Sequence, residues 1–363
     1  MRFGLVCEDP NRTERFKQAL SSCGLPKLAH RTYSQFIESP EAFQSFLGSI
    51  DILRLDSPGG SFESWAAMCR YSGFNPENFS NEFGKIYPLK PSNEGFDKAV
   101  RAISQAASCP KTFDPKAIAL FMDKERSHSF CAKNNLPVPQ KIPKVRSCQA
   151  LETTMKEMGL RRAFMKLKYG SAASGVLAIE MQGRYLRVIT TAEMKRSGED
   201  ITLYNSLKVR KYLDDEARQL IDTMLARYEV HIEEWIPKLR LSDHPIDIRL
   251  LVIGGQPAHL VIRSSSSPIT NLHLGNERFQ SDILRRTVSE TFWNRIQTLG
   301  QQVGSYFPDQ FCIGLDIGID RASEHVFIIE INAFGDYLND VMYEGMDPYT
   351  YQVKALEKIY AKR

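Results

Sequence analysis

No run of apolar residues approaches the roughly 20 needed to cross a bilayer as a helix, so a membrane partner is not expected. The seven cysteines (Cys7, Cys23, Cys69, Cys109, Cys131, Cys148 and Cys312) include no CxxC pair. An odd, dispersed set argues against a disulfide framework and a structural zinc, and leaves small buried hydrophobes in a reducing compartment. Charge of one sign is not in excess either: a net charge of +4 does not call for nucleic acid. The basic clusters are short, LKVRKY (207–212) and the pair Arg285–Arg286, and read as solvated faces able to attract an anionic ligand. Internal repeats and low-complexity tracts are lacking. MRFGLVCEDPNRTERF turns polar too early for a signal peptide, which points to a first buried strand and a cytoplasmic protein.

What remains is a chain of 363 residues with room for two or three lobes. Strand and helix patterns alternate at the start. RFGLVC is a strand, TERFKQALSSCG an amphipathic helix, and IDILRLD (50–56) a second buried strand. That strand runs into SPGGSFES, where Ser61 can cap a helix through WAAMCRY; such turns in open α/β sheets often border ligand sites. Residues 75–112, rich in Asn, Pro and Ser, read as a surface excursion. Helical spacing returns in FDPKAIALFMDKERSHSFCAKNNLPVPQ, followed by two strands joined by a small-residue loop, RRAFMKLKYGSAASGVLAIEM, and more strand in RYLRVIT. A polar stretch precedes the helix DEARQLIDTMLARY and the strand VHIEEWI. IDIRLLVIGGQPAHLVIRSS is a hairpin, SDILRRTVSETFWNRIQTLGQQVG a helix, and 312–319 with 325–332 a second hairpin before a terminal helix.

The chemistry concentrates at that last hairpin. In FIIEINA, Glu330 and Asn332 are two apart on a strand and share a face. Asp316 interrupts the apolar strand CIGLDIGI, and a hairpin closing at 320–324 puts it on that face too. Two carboxylates and an amide oxygen converge only around something positive, and a hard cation such as Mg2+ or Mn2+ takes such ligands. In FMKLKYGSAASGV, Lys166 and Lys168 alternate along a strand; the run from Gly170 through Ser171 and Ser174 to Gly175 offers backbone N–H groups to phosphates. Arg249 and Arg263 interrupt the two arms of the earlier hairpin, and their planar forks suit phosphoryl or carboxylate groups.

These elements in this order resemble the ATP-grasp superfamily over about 113–333, and the front-end turn LRLDSPGGSFESW resembles an uncharacterised bacterial branch of it. The resemblance implies an α/β fold, with an N-terminal open α/β lobe (1–112), a central lobe (113–205) and a C-terminal lobe with the metal site (206–363) clasping ATP. It makes Lys116 the first ATP-contacting lysine and Lys166 the second. In VHIEEWIPK it places adenine against the backbone of Glu234, Trp235 and Ile236, with an acid such as Glu233 for the ribose and Lys238 close by. Asp316, Glu330 and Asn332 match the family's D…E-x-N metal signature, and Arg263 and Asn271 fall where carboxylate–amine ligases keep an Arg and an N-x-x-x-G stretch, here NLHLG. Three positions depart from the family. The loop GSAASG is poor in glycine, Leu167 stands where proline is frequent, and NLHLGN replaces a glycine-richer stretch.

The function so implied is an ATP-dependent carboxylate–amine ligase that works through an acyl phosphate and releases ADP and phosphate. Its partners would be ATP, a small-molecule or peptide carboxylate and an amine acceptor, and a homodimer would suit the family. Arg263 with Arg249 would hold the transferred phosphoryl group. No general base stands out among His231, His259 and His273. An ATP-grasp kinase acting on a hydroxyl, or a non-catalytic nucleotide-binding protein, would share the ATP residues.

Overall fold

The computed structural model describes residues 1–198, 200–241, 243–270, 277–280, 288–335, 338 and 340–360, with 277–280 described by backbone alone. NLHLG, with Asn271 and His273, and residues 281–287, with Arg285 and Arg286, lie outside the described residues.

Strands β1 (Phe3–Val6), β2 (Ala29–Arg31) and β3 (Ile52–Leu55) form a parallel sheet in the order β2-β1-β3. β1 and β3 are buried throughout, so FGLV and ILRL read as apolar runs rather than as alternation. Five helices surround them: α1 (Pro10–Ser22), α2 (Tyr33–Glu38), α3 (Pro40–Leu47), α4 (Phe62–Ser72) and α5 (Leu89–Ala106). The Asp9 carboxylate accepts the N–H groups of Asn11 and Arg12 and starts α1, with Pro10 at its first position. Ser61 caps α4 as its spacing predicts, accepting the Ser64 N–H at 3.1 Å.

Helix α5 corrects the expected excursion over 75–112. Phe96, Ala99, Val100 and Ile103 recur at helical spacing and are buried, a stripe masked in the sequence by the polar residues of the opposite face. Gly95 lets α5 meet α4: a Cβ there would lie 1.9 Å from the Met68 carbonyl oxygen. Gly95→Ala forces backbone apart, and the expected cost is about 3 kcal/mol, the upper end for overpacking. Thermal melts of the variant against the parent protein check this.

Next come α6 (Pro115–Phe121), α7 (Lys124–Lys133), α8 (Cys148–Glu157), β4 (Arg162–Leu167), β5 (Leu177–Gln182), β6 (Tyr185–Ser197), β7 (Asp200–Leu213), α9 (Asp214–Arg227) and β8 (Val230–Glu234). The strands make one antiparallel sheet, β7-β6-β5-β4-β8. The expected lobe boundary at 205 therefore cuts through β7, and the break between sheets falls after Glu234. The polar stretch before α9 is the long β6–β7 hairpin, whose inward side chains, Ala192 and Leu203 among them, join the core beneath α8 and α9.

The C-terminal unit contains β9 (Arg240–Leu241), β10 (His244–Ile253), β11 (Gln256–Ser264), β12 (Glu277–Gln280), α10 (Glu290–Tyr306), β13 (Cys312–Ile319), β14 (Val326–Asn332) and α11 (Pro348–Tyr360). Its main sheet runs β12-β11-β10-β13-β14. Gly254 and Gly255 both take left-handed φ and close the β10–β11 hairpin in a two-residue turn, as its sequence predicts. Helix α10 buries Phe292, Ile296, Leu299 and Val303 against this sheet. The N- and C-terminal units share their apolar cores: α5, α6 and α10 pack into one, β1, α1 and α11 into another. The central sheet keeps a core of its own. Among the described residues no helix is long and apolar enough to cross a membrane.

Candidate active site

Between the central and C-terminal sheets lies a cleft of about 790 Å³, partly open to solvent. Its C-terminal wall is set by strand register. Arg249 on β10 lies opposite Asp316 on β13, and Asp316 opposite Glu330 on β14, so the three form a row across one face. Asp247 and Arg263 are likewise directly paired on β10 and β11. Charged side chains survive in these apolar strands because each meets an opposite charge. Arg263 donates to Asp247 at 2.6 Å, and the Glu330 carboxylate receives the Lys124 ammonium at 2.6 Å. Burial would raise the Glu330 carboxyl, but Lys124 outweighs it and holds the group below its usual range.

Asp316 is held differently. Arg249 Nε and Arg263 Nη2 lie 2.8 and 2.9 Å from its Oδ1, yet this buried oxygen accepts no aligned hydrogen bond. Burial, with Asp247 and Glu330 adding to it, keeps its carboxyl above the ordinary value despite the two guanidiniums. An under-satisfied buried oxygen facing a second carboxylate fits a hard cation's donor set. Asn332 continues the row opposite Gly314, its amide 3.5 Å from the Gly314 carbonyl, beyond the residues that line the cleft.

The central wall brings Lys166, Gly170, Ser171, Ser174, Glu233, Glu234, Ile236 and Lys238 to the cleft. The loop after β4 returns on itself through Ala172 and Ala173, whose φ values of 53° and 57° strain non-glycine residues. Gly175 stands behind the loop against Leu167 rather than in the wall. Phe164, Ile236, Phe327 and Ile329 supply apolar surface opposite the charges. Lys238 donates to Thr270 at 2.5 Å and lies 3.6 Å from Asp247; burial lowers its ammonium despite that carboxylate.

Several side chains go elsewhere. Lys116 is exposed near the start of α6 and does not line the cleft. Lys124, at the start of α7 after the capping Asp123, occupies the cleft instead, touching both Glu330 and the Gly170 carbonyl at 2.5 Å. The signal was the DK pair before the helix. Lys168, just past the end of β4, turns away to Asp123, Glu125 and Glu229 at 3.4–3.6 Å. Burial alone would lower its ammonium, but Asp123 and the Tyr169 hydroxyl beside it raise it. Trp235 also lies outside the wall; its ring packs on Phe164 and its backbone N–H donates to the Arg162 carbonyl. Arg249 sits behind Asp316 rather than lining the cleft. Asp247 and Thr270, which carry no motif, complete the charged wall.

Glu233 is buried with both oxygens engaged, one by Lys166 and the other by His231 Nε2 at 2.9 Å. The half-exposed neighbour Glu234 is the acid free to meet a polar ligand. Burial would raise the Glu233 carboxyl, but Lys166 and His231 pull it down to about 2. A folded value below the ordinary 4.5 gives stability that is complete above pH 4.5 and lost as pH falls towards 2. The expected loss on full titration is on the order of 3 kcal/mol. Urea unfolding across this window should show the slope, and Glu233→Gln should flatten it.

A family profile described as "YheC/D like ATP-grasp" matches residues 119–337. Among solved structures, the chain is similar to D-cycloserine synthetase DcsG, at 13% identity and a TM-score of 0.58, with 99% of each chain covered. It is also similar to ATP-grasp ligase PsnB complexed with minimal precursor, Mg and ADP, at 14% identity and a TM-score of 0.55, covering 98% of this chain and 96% of that one. Macrocyclase MdnC bound with precursor peptide MdnA, from Microcystis aeruginosa MRC, matches at 11% identity and a TM-score of 0.54 over the whole of both chains. No curated protein matches the chain by sequence. At these identities the structural matches speak for the fold, and the profile covers about three-fifths of the chain. The chain belongs to the YheC/D-like ATP-grasp family.

Proposed function

We propose that the protein is an ATP-dependent carboxylate–amine ligase with its nucleotide in the cleft between the central and C-terminal sheets. One observation carries this reading: the cleft's lysines and carboxylates are already paired, Lys124 with Glu330 and Lys166 with Glu233, beside a small-residue loop. A polyphosphate arriving with a divalent cation can exchange the Lys124–Glu330 partners without leaving a charge buried alone, the phosphates taking Lys124 and the cation Glu330, while Lys166 meets the phosphates with Glu233 still beside it. Asp316 and Glu330, with Asn332 beside them, would hold Mg2+, which supplies charge neutralisation at the phosphates.

Phe164, Ile236, Phe327 and Ile329 form the slot for adenine, and Glu234 faces the ribose. Lys124, Lys166 and the Gly170–Ser174 backbone hold the phosphates in line. An oxygen of the substrate carboxylate attacks the γ-phosphorus, the bond to the bridging oxygen breaks, and ADP departs to leave an acyl phosphate. The amine lone pair then adds to the carbonyl carbon. The resulting oxyanion collapses by expelling phosphate, and the amine proton passes to solvent. Arg263 is the donor for the phosphoryl group and the oxyanion, while Arg249 steadies Asp316 from behind.

A second groove, about 1620 Å³ including open solvent, runs from Gly59, Ser61 and Trp65 to Phe96 and shares Ser171 and Ser174 with the nucleotide cleft. It is the acceptor site in this reading. Its size exceeds a free amino acid's need and supports a peptide acceptor, the kind of molecule bound in the MdnC structure. The test is ADP release, screened over amino acids and peptides with mass spectrometry of products. Release should need Mg2+, a carboxylate and an amine together. Release with a single hydroxyl acceptor would point to a kinase, and nucleotide binding without turnover to a non-catalytic protein.

A further inference from the structure

On β8 the sequence V-H-I-E-E puts His231 and Glu233 on one face, and β4 lies alongside with Lys166 directly opposite His231. The three are almost fully buried, Lys166 at 7% exposure and His231 and Glu233 at 3% each. They form a line: Lys166 ammonium, Glu233 carboxylate, His231 imidazole. Because Glu233 is ionised, His231 Nε2 must carry the proton and donate it, which fixes the tautomer. His128, from α7, packs its ring 5.0 Å from that of His231 and donates Nε2–H to the Pro139 carbonyl at 2.7 Å. Each ring is thus locked by one hydrogen bond while its Nδ1 remains buried without a partner.

A metal on these groups is disfavoured. The ligand atoms of His128, His231 and Glu233 come within 4.8 Å of one another, but the Lys166 ammonium already supplies the positive charge there. The line instead acts on Lys166. A lysine stem has four rotatable bonds, and Lys166 stays aimed along the cleft because Glu233 anchors its ammonium. Among the described residues, His231 alone holds the second oxygen of Glu233 in place, since the other is committed to Lys166.

We propose that His231 is a positioning residue for nucleotide binding, acting through Glu233 to aim Lys166 at the phosphates. The inference rests on Lys166 being a phosphate-binding lysine. The experiment is calorimetric titration of the full chain with AMPPNP and Mg2+. His231→Leu should weaken binding about tenfold, the worth of one hydrogen bond to a charged group. His231→Gln, whose amide N–H reaches where Nε2–H does, should return affinity to within about threefold of the parent. Should the leucine variant not fold, His231→Asn, too short to reach Glu233, takes its place with the same expectation. Parental affinity in the leucine or asparagine variant overturns the proposal, and so does a glutamine variant as weak as the leucine one. Lys166→Met separates the two levels. If it binds as the parent does, the phosphate role of Lys166 falls and this inference with it; if it loses affinity while His231→Leu does not, only the positioning role falls.

Discussion

Replacing Glu330 with glutamine is expected to lower ATP turnover by about a hundred- to a thousandfold while leaving the fold intact. The substitution keeps the side chain's shape on β14 but removes one of two charges that face each other across β13 and β14. Two consequences combine in the proposed site. The cation loses a ligand, and Lys124 loses the carboxylate that holds it at 2.6 Å. Glu330 is the better probe than Asp316, because its side chain is 26% exposed against 10%. Asp316→Asn would leave Arg249 and Arg263 facing each other with little between them, and breaking a buried pair costs about 3–5 kcal/mol of stability. Steady-state ADP release across a Mg2+ titration, with a thermal melt as control, checks the glutamine variant. Unchanged turnover at the parent's Mg2+ requirement would remove these carboxylates from the chemistry.

Lys124→Met should weaken nucleotide binding about a hundredfold, whereas Lys116→Met should leave it within about twofold. Lys124 joins the two halves of the cleft, with its ammonium on Glu330 of one sheet and on the Gly170 carbonyl at the base of the loop from the other. Losing it removes a phosphate partner and unpins the loop, whose Ala172 and Ala173 already carry backbone strain. Lys116 is exposed on the preceding helix, α6, and has no such bridge. Titration with AMPPNP distinguishes the two; equal losses in both variants would contradict the assignment.

Resemblance to a family pattern named Lys116, whereas packing brings Lys124 to the cleft. The pattern records that a lysine stands near the start of this segment, but both lysines stand there. Asp123 caps α7 and points Lys124 at the cleft, towards a carboxylate 206 positions along the chain. Lys168 shows the same limit. Alternation along β4 predicts a shared face with Lys166, but the strand ends at Leu167, and once the backbone leaves the ladder the period no longer governs direction. In the VHIEEWIPK segment the two adjacent glutamates could not be told apart by position. Lys166 and His231 claim Glu233, which leaves Glu234 for a ligand.

Where a strand's pleat or a hairpin's turn is set by near neighbours in the chain, the sequence alone was enough. It determined the buried strands β1 and β3, the two-residue turn at Gly254–Gly255, and the face shared by Asp316 and Glu330, because strand pleat and hairpin geometry follow from residues close in the chain. Tertiary structure decided the rest: that α5 is a core helix, that the central sheet extends to Glu234, and which of several lysines and acids meet in the cleft. Those outcomes depend on which charge finds which counter-charge across two sheets and a helix. Pairing over such distances is selected by the cost of burying a lone charge, a quantity that exists only once the chain has folded.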